Sequence, residues 1–211
     1  AGAVVKAVDL VSGGEMESAF CCVRPPGHHA ESERAMGCCL YNNIAVGVAH
    51  ALHEHDFERV AVVDFDVHQG NGTEEIFRDD ERVLFCSTFQ HPFYPFTPML
   101  ENAPNRVNVP LDAGAGSAEF RAAITKHWMP AVERFEPEMI FVSAGFDAHR
   151  DDDMSHVGLT DADYRWVTEQ IVQMAAASAH NRIVSALEGG YELNSLARCA
   201  EAHVRVLMGL H

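Results

Sequence analysis

The stretch Val60-Ala-Val-Val-Asp64-Phe-Asp66-Val-His68-Gln-Gly-Asn71-Gly-Thr73 joins a β-branched apolar run to a glycine-rich polar turn. The run at 60–65 is too short for a helix and carries apolar side chains in consecutive positions, so it reads as a strand buried on both faces. Such a strand needs a helical layer on each side. The same pattern recurs at 20–23, 83–87, 139–143 and 183–187, and helical patterns occupy 3–11, 43–55, 118–135, 161–180 and 193–210. Thr160 and Asp163 are spaced as a capping pair, and Pro130 is expected to kink its helix. This alternation predicts an α/β fold with a doubly wound, mostly parallel sheet. The stretch 92–98 reads as one proline-rich constrained loop.

Four of the five strands run into turns that hold glycine with ligands or proton carriers: Arg24-Pro-Pro-Gly-His28-His29, the Asp64 turn, Ala144-Gly-Phe-Asp147-Ala-His149 and Glu188-Gly-Gly-Tyr191. Ligands of open parallel sheets bind outside the carboxyl ends of the strands, so all four turns are expected at one edge. Asp64, Asp66 and His68 alternate with apolar residues and, at the period of a strand, would point the same way. With Asp147 they offer a nitrogen and oxygen donor set without thiolate, which suits a catalytic zinc or ferrous ion. The plainer reading makes Asp64 and Asp66 turn formers; Asp147 after a second strand weighs against it. His28 and His29 follow a rigid Pro-Pro-Gly lead-in, with Asp64 and Asn71 available to hold their tautomers. Gly189-Gly190-Tyr191 would set a phenol where it can donate to an oxyanion. The parts together describe hydrolysis of an amide or ester-like bond.

Composition narrows the setting. The chain has 211 residues, 47% hydrophobic and 22% charged, which is enough for one sizeable core. Its formal charge of −16 argues against a nucleic-acid partner held through phosphates. No apolar run approaches the ~20 residues of a membrane span, and Ala1 opens no signal-like segment, so a soluble, cytoplasmic protein without a membrane partner is expected. Cys21-Cys22 and Cys38-Cys39 are adjacent pairs and poor bridge partners, so reduced, mostly buried thiols are expected.

At these residues the sequence resembles the zinc-dependent histone deacetylase and acetylpolyamine amidohydrolase superfamily. The Arg24, Asp64, Ala144 and Glu188 segments, with Gln90-His-Pro-Phe-Tyr-Pro95, match its signature segments in order and spacing. The Gln-Gly-Asn-Gly form is similar to the class II and bacterial branch. The resemblance implies an arginase-like three-layer α/β/α sandwich. It implies zinc on Asp66, His68 and Asp147, with His29 as general base and then acid leaning on Asn71. His28 would be held by Asp64, and Tyr191 would polarise the acetyl carbonyl. A structural potassium ion would engage Asp64, Asp66, His68, Ser87 and Thr88. Gly37, Tyr94, Met154 and Gly189 would lie along a tunnel for an acyl-lysine protein or peptide, or a small acylated amine.

Three positions depart from the family pattern. Cys38 stands where a tunnel phenylalanine is usual, which should widen the slot and weaken stacking on a lysine stem. Phe96 replaces a glycine, and the 96–106 loop is expected to reshape the rim. Met154 brings no charge to read a second ammonium, which disfavours acetylpolyamines. The chain reads as a single deacetylase-like domain over 1–211 lacking the family's N-terminal portion, with an exposed strand edge and homo-oligomerisation as expected consequences. Two alternatives accompany this reading. An arginase-like binuclear hydrolase needs further bridging aspartates and has no place for His28, His29 and Tyr191. A fragment that binds metal and an acyl ligand without turnover is motivated by Cys38 and the missing portion.

Overall fold

In a computed structural model, residues 1–210 are described; His211, the end of the domain expected over 1–211, lies outside the described residues. The strands are Ser18–Cys21 (β1), Val60–Asp64 (β2), Val83–Gln90 (β3), Arg106–Leu111 (β4), Met139–Ala144 (β5) and Ile183–Leu187 (β6). They form one sheet in the order β1-β6-β5-β2-β3-β4, with every neighbouring pair parallel. Asp64 at the end of β2 lies level with Ser87 on β3 and Ser143 on β5. The carboxyl ends of the central strands therefore finish together.

Alternation along each strand divides the interior into two cores. Val60 and Val62 face one layer, where Val4, Val8, Ile44 and Val48 of helices Gly2–Ser12 (α1) and Asn43–Glu54 (α2) pack, joined by Phe77 of Asn71–Phe77 (α3). Ala61 and Val63 face the other, filled by Phe120, Trp128, Tyr164, Ile171 and Cys199. That second layer consists of Ser117–Ala123 (α4), Met129–Phe135 (α5), Asp161–Ser178 (α6) and Leu193–Leu207 (α7). The result is the doubly wound three-layer α/β/α arrangement that the sequence predicts.

Several local expectations need correction. The 96–106 loop leads into an unanticipated sixth strand, β4, whose residues Val107 and Val109 pack on the core while Pro110 is tolerated at the sheet edge. α3 forms directly after the Asp64 turn, where only a turn was expected. The single helix expected over 118–135 is split: a π turn at Ile124–Trp128 precedes Pro130, which has no N–H to return to the Lys126 carbonyl. The strand expected at 20–23 lies two residues earlier, and the last helix stops at Leu207, not 210. Gly209 ends it at φ +69°, with its N–H on the Val206 carbonyl at 2.9 Å and the Leu210 N–H on Arg205 at 2.8 Å. The Thr160/Asp163 capping box forms as expected at the start of α6. All six cysteines are free, but only Cys21, Cys39, Cys86 and Cys199 are buried; Cys22 lies just past the end of β1 and Cys38 in a turn at φ +62°, and both are exposed.

Candidate active site

β2 does not continue through His68 as the period of two implied; it ends at Asp64. The Asp66 N–H donates to Asp64 Oδ1 at 3.1 Å and the His68 N–H to Asp66 Oδ1 at 2.9 Å, so side-chain carboxylates replace the strand ladder. The turn still brings the three side chains to one place. Asp66 Oδ2 accepts the Gly189 N–H at 2.7 Å, and Asp147 Oδ1 accepts the Val67 N–H at 3.0 Å. Asp147 thus keeps Oδ2 clear of backbone donors, while Asp66 Oδ1 already takes the His68 N–H.

Those oxygens converge on His68. Its Nδ1 lies 3.1 Å from Asp66 Oδ1 and 3.0 Å from Asp147 Oδ2, and one ring nitrogen carries at most one proton for two oxygens. Asp147 Oδ2 is buried without a hydrogen-bond partner. Burial pushes the Asp147 carboxyl up to about 6, with Asp66 adding to the rise. Burial opposes protonation of His68, yet the Asp147 and Asp66 carboxylates beside Nδ1 outweigh that and raise it to about 10. The cluster demands positive charge, and its donor set fits a divalent cation. Glycine makes the space: a Cβ at Gly145 would strike Asp66 Oδ2, and one at Gly189 would strike Asp147 Oδ2. Beside it, Ser87 Oγ and Thr88 Oγ1 are buried with no partner, which suits the oxygen-rich shell of a second cation next to Asp64.

The two imidazoles after Pro-Pro-Gly are buried and differ in their partners. His28 Nδ1 meets Asp64 Oδ2 at 3.0 Å; His29 Nδ1 meets Asn71 Oδ1 at 2.8 Å. Burial would lower His28, but the carboxylates of Asp66, Asp64 and Glu188 outweigh it and hold the ring well above the ordinary histidine value. Burial, reinforced by the charge on His28, pushes His29 down to about 3, so that ring is neutral. Gly27 is fixed by close approach to the Asn43 backbone, and a side chain there would collide with it.

A cavity of about 360 Å³ opens above these groups. The sequence-predicted Gly37, Cys38, Tyr94, Met154, Gly189 and Tyr191 all line it, together with His28, His29, Asp66 and His68. Asp64, Asn71 and Asp147 sit behind this lining as partners of the residues that face it. Phe93 also faces the cavity, stacked on His68 at 5.6 Å, and Tyr94 meets His29 edge to face at 5.1 Å. No aromatic ring stands at Cys38, so the walls are unequal. Phe96 is exposed at φ +60° beside Tyr94.

Three supporting residues escaped the sequence reading. Arg24 Nη1 and Nη2 donate to the carbonyls of Glu188 and Gly190, both at 2.8 Å, and the guanidinium lies 5.7 Å from the Tyr191 ring centre. Glu188 Oε2 accepts the N–H groups of Gly27 at 2.6 Å and His28 at 3.1 Å. Asp152 Oδ2 accepts those of Tyr191 at 2.7 Å and Glu192 at 2.9 Å. Arg24 and Glu188 open their motifs and could have been found by position; nothing in the run Asp151-Asp152-Asp153 distinguishes its middle member.

Known proteins resemble this chain over nearly its whole length. The histone deacetylase domain family matches residues 1–207. Histone deacetylase 18 of Arabidopsis thaliana is 40% identical over 223 residues, covering 99% of this chain and 32% of that protein. The histone deacetylase-like amidohydrolase of Pseudomonas aeruginosa is 36% identical over 219 residues, covering 100% of this chain and 57% of that protein. The crystal structure of the HDA15 HD domain superimposes with a TM-score of 0.91 at 35% identity, over 98% of this chain and 60% of that one. The chain thus spans between about a third and three fifths of the length of these relatives. Among the described residues no helix is long and apolar enough to cross a membrane. A match running from the first residue to Leu207 makes this chain a member of the histone deacetylase family.

Proposed function

We propose that this chain is a metal-dependent hydrolase that removes acetyl or larger acyl groups from lysine-like amines. One observation carries the reading: the Asp66/His68/Asp147 cluster, the unlike His28 and His29 rings and the Tyr191 phenol meet at a single cavity. A divalent ion held by Asp66, His68 and Asp147 would supply Lewis acidity toward the acyl carbonyl and toward water. Zinc and ferrous iron both suit that donor set. Ser87 and Thr88, next to Asp64, support a structural potassium ion.

The chain's own groups handle substrate and protons. Tyr94, Phe93 and Gly37 guide the amine stem toward His29, with Met154 at the rim. His29 is neutral, and its Nδ1 bond to Asn71 leaves Nε2 free to take a proton from the attacking water and return it to the leaving amine. His28, kept charged by Asp64, favours the developing negative charge. The Tyr191 hydroxyl donates to the carbonyl oxygen as it becomes an oxyanion, while Arg24 and Asp152 fix the backbone around it. The occupant is an acyl-lysine peptide or a small acylated amine, and residues 1–211 belong to a single deacetylase-like domain.

Zinc-loaded protein is expected to deacylate a fluorogenic acetyl- or trifluoroacetyl-lysine peptide with inhibition by a hydroxamate. Tyr191→Phe should lower kcat about 10²- to 10³-fold, and His29→Ala about 10²- to 10⁴-fold. Metal-loaded variants with unchanged turnover would overturn the assignment.

A further inference from the structure

Away from the strand ends, three metal-ligating side chains meet on the layer built by α1 and α2. Asp9 of α1 presents Oδ1 to His50 Nε2 of α2 at 2.7 Å and to Nε2 of His55, which caps α2, at 2.9 Å. The three donor atoms lie within 4.8 Å of one another. The two rings cross at 77° with centroids 5.3 Å apart, so their nitrogens approach the carboxylate from different directions. We propose that Asp9, His50 and His55 form a second metal site, which binds a divalent transition ion of the zinc class and clips α1 to α2.

The donor set selects the ion. Two imidazole nitrogens and one carboxylate oxygen suit zinc, nickel or copper; magnesium and calcium prefer shells made of oxygen. Bonds of about 2.0–2.1 Å to zinc set neighbouring donors roughly 3.0–3.4 Å apart. The observed separations are a few tenths of an ångström short of that, and the side chains have room to open, being 21%, 25% and 43% exposed for His50, His55 and Asp9. The same exposure supplies an entry path and leaves a position for water. Without the ion each Nε2–H donates to Asp9 Oδ1, and binding selects the tautomer with the proton on Nδ1, which frees the Nε2 lone pair for the metal.

The backbone behind the ligands is rigid. Val8 and Val11 of α1 share one core with Val48, Ala51 and Leu52 of α2, so packing already fixes the spacing that an ion would use. Stacking of His55 on Phe57 limits rotation of that ring. Among the described residues, Asp9 is the only side chain to which either imidazole hydrogen-bonds. The comparable cluster of His149, Asp161 and Cys199 differs here, because Arg198 Nε already occupies Asp161 at 2.8 Å and supplies the positive charge.

The test strips the full chain with chelator, titrates it with Zn²⁺ and measures bound metal after gel filtration. His50→Gln/His55→Gln is expected to bind one equivalent fewer than wild type, whatever the occupancy of the strand-end cluster. Asp9→Asn, which keeps a hydrogen-bond acceptor but loses the charge, should weaken the same equivalent. In Asp147→Ala, which disables the strand-end cluster, one equivalent should persist; adding the paired glutamines should weaken it by more than about 100-fold, beyond the loss of a mere outer-shell partner. Circular dichroism and turnover of the acyl-lysine peptide should stay at the parent level in the glutamine pair, while the rise in melting temperature on adding Zn²⁺ shrinks. Unchanged stoichiometry and affinity in the glutamine pair and in Asp9→Asn would overturn the site.

Discussion

His28 and His29 are consecutive residues with ring centroids 4.1 Å apart, yet His28 Nδ1 faces a carboxylate and His29 Nδ1 faces an amide. The partner decides the charge: Asp64 and its neighbours keep one ring protonated, and that ring helps keep the other neutral. Giving His29 a carboxylate should erase the difference. Asn71→Asp is expected to raise the His29 value from about 3 and move the acidic limb of the kcat/KM profile to higher pH. A profile superimposable on wild type would separate His29 from the proton transfer.

Gly189 is squeezed between Asp66 and Asp147. Gly189→Ala should push Asp147 Oδ2 away from His68 and weaken zinc by about 10-fold or more. Chelator competition measures this directly. Because the strand beneath is unchanged, the far-ultraviolet spectrum should not move.

Cys38 leaves one cavity wall without a ring. Cys38→Phe is expected to favour acetyl-lysine over longer acyl-lysines by roughly tenfold in relative kcat/KM. Parallel assays on acetyl and octanoyl peptides supply the ratio. The backbone there is already left-handed at φ +62°, so the exchange of one non-glycine residue for another adds little strain.

His203 is fully buried, with Nδ1 2.8 Å from Thr168 Oγ1 and Nε2 2.9 Å from Ser185 Oγ. Thr168 Oγ1 donates to the Tyr164 carbonyl, so it accepts from Nδ1–H, and Ser185 donates to Nε2. Burial lowers this ring to about 3. Above the unfolded value of about 6.5, neither state binds the proton. Below it the unfolded chain binds one more, so stability falls as pH drops and the loss levels off near about 3. Between pH 7 and pH 5 the contribution is about 2 kcal/mol. Urea unfolding of His203→Gln should show that much less dependence on pH.

Trp128 lies at the π turn with no exposed surface and fills the space between α5 and the sheet. Trp128→Ala should cost about 3–5 kcal/mol. An unfolding free energy lowered by less than half of that in cooperative denaturant unfolding would mean the layer collapses into the gap.

The sequence was most legible where burial and chemistry coincide. β2, β5 and β6 are apolar on both faces and end in polar glycine turns, so their existence and the gathering of their ends could be read directly. β4 escaped because it is a half-buried edge strand that alternates Val107 and Val109 with polar residues and contains Pro110. The π turn escaped because periodicity continues through it. In the site, residues that present polar side chains after strands were found. Arg24 and Asp152 were not, because they act on backbone groups of a loop more than a hundred and nearly forty residues away, respectively, and local spacing carries no trace of that.

The position of β6 also sets a timetable. Among the described strands it comes last in the chain, yet it is inserted between β1 and β5, so of these strands β1 pairs with β6 alone. The bonds from Arg24 to Glu188 and from Gly189 to Asp66 span 164 and 123 residues and form only after that insertion. A nascent chain still missing β6 holds Asp66, His68 and Asp147 without the strand end that closes over them. The geometry of the strand-end cluster therefore depends on the non-local pairing of one five-residue strand, the class of contact that forms slowly in folding.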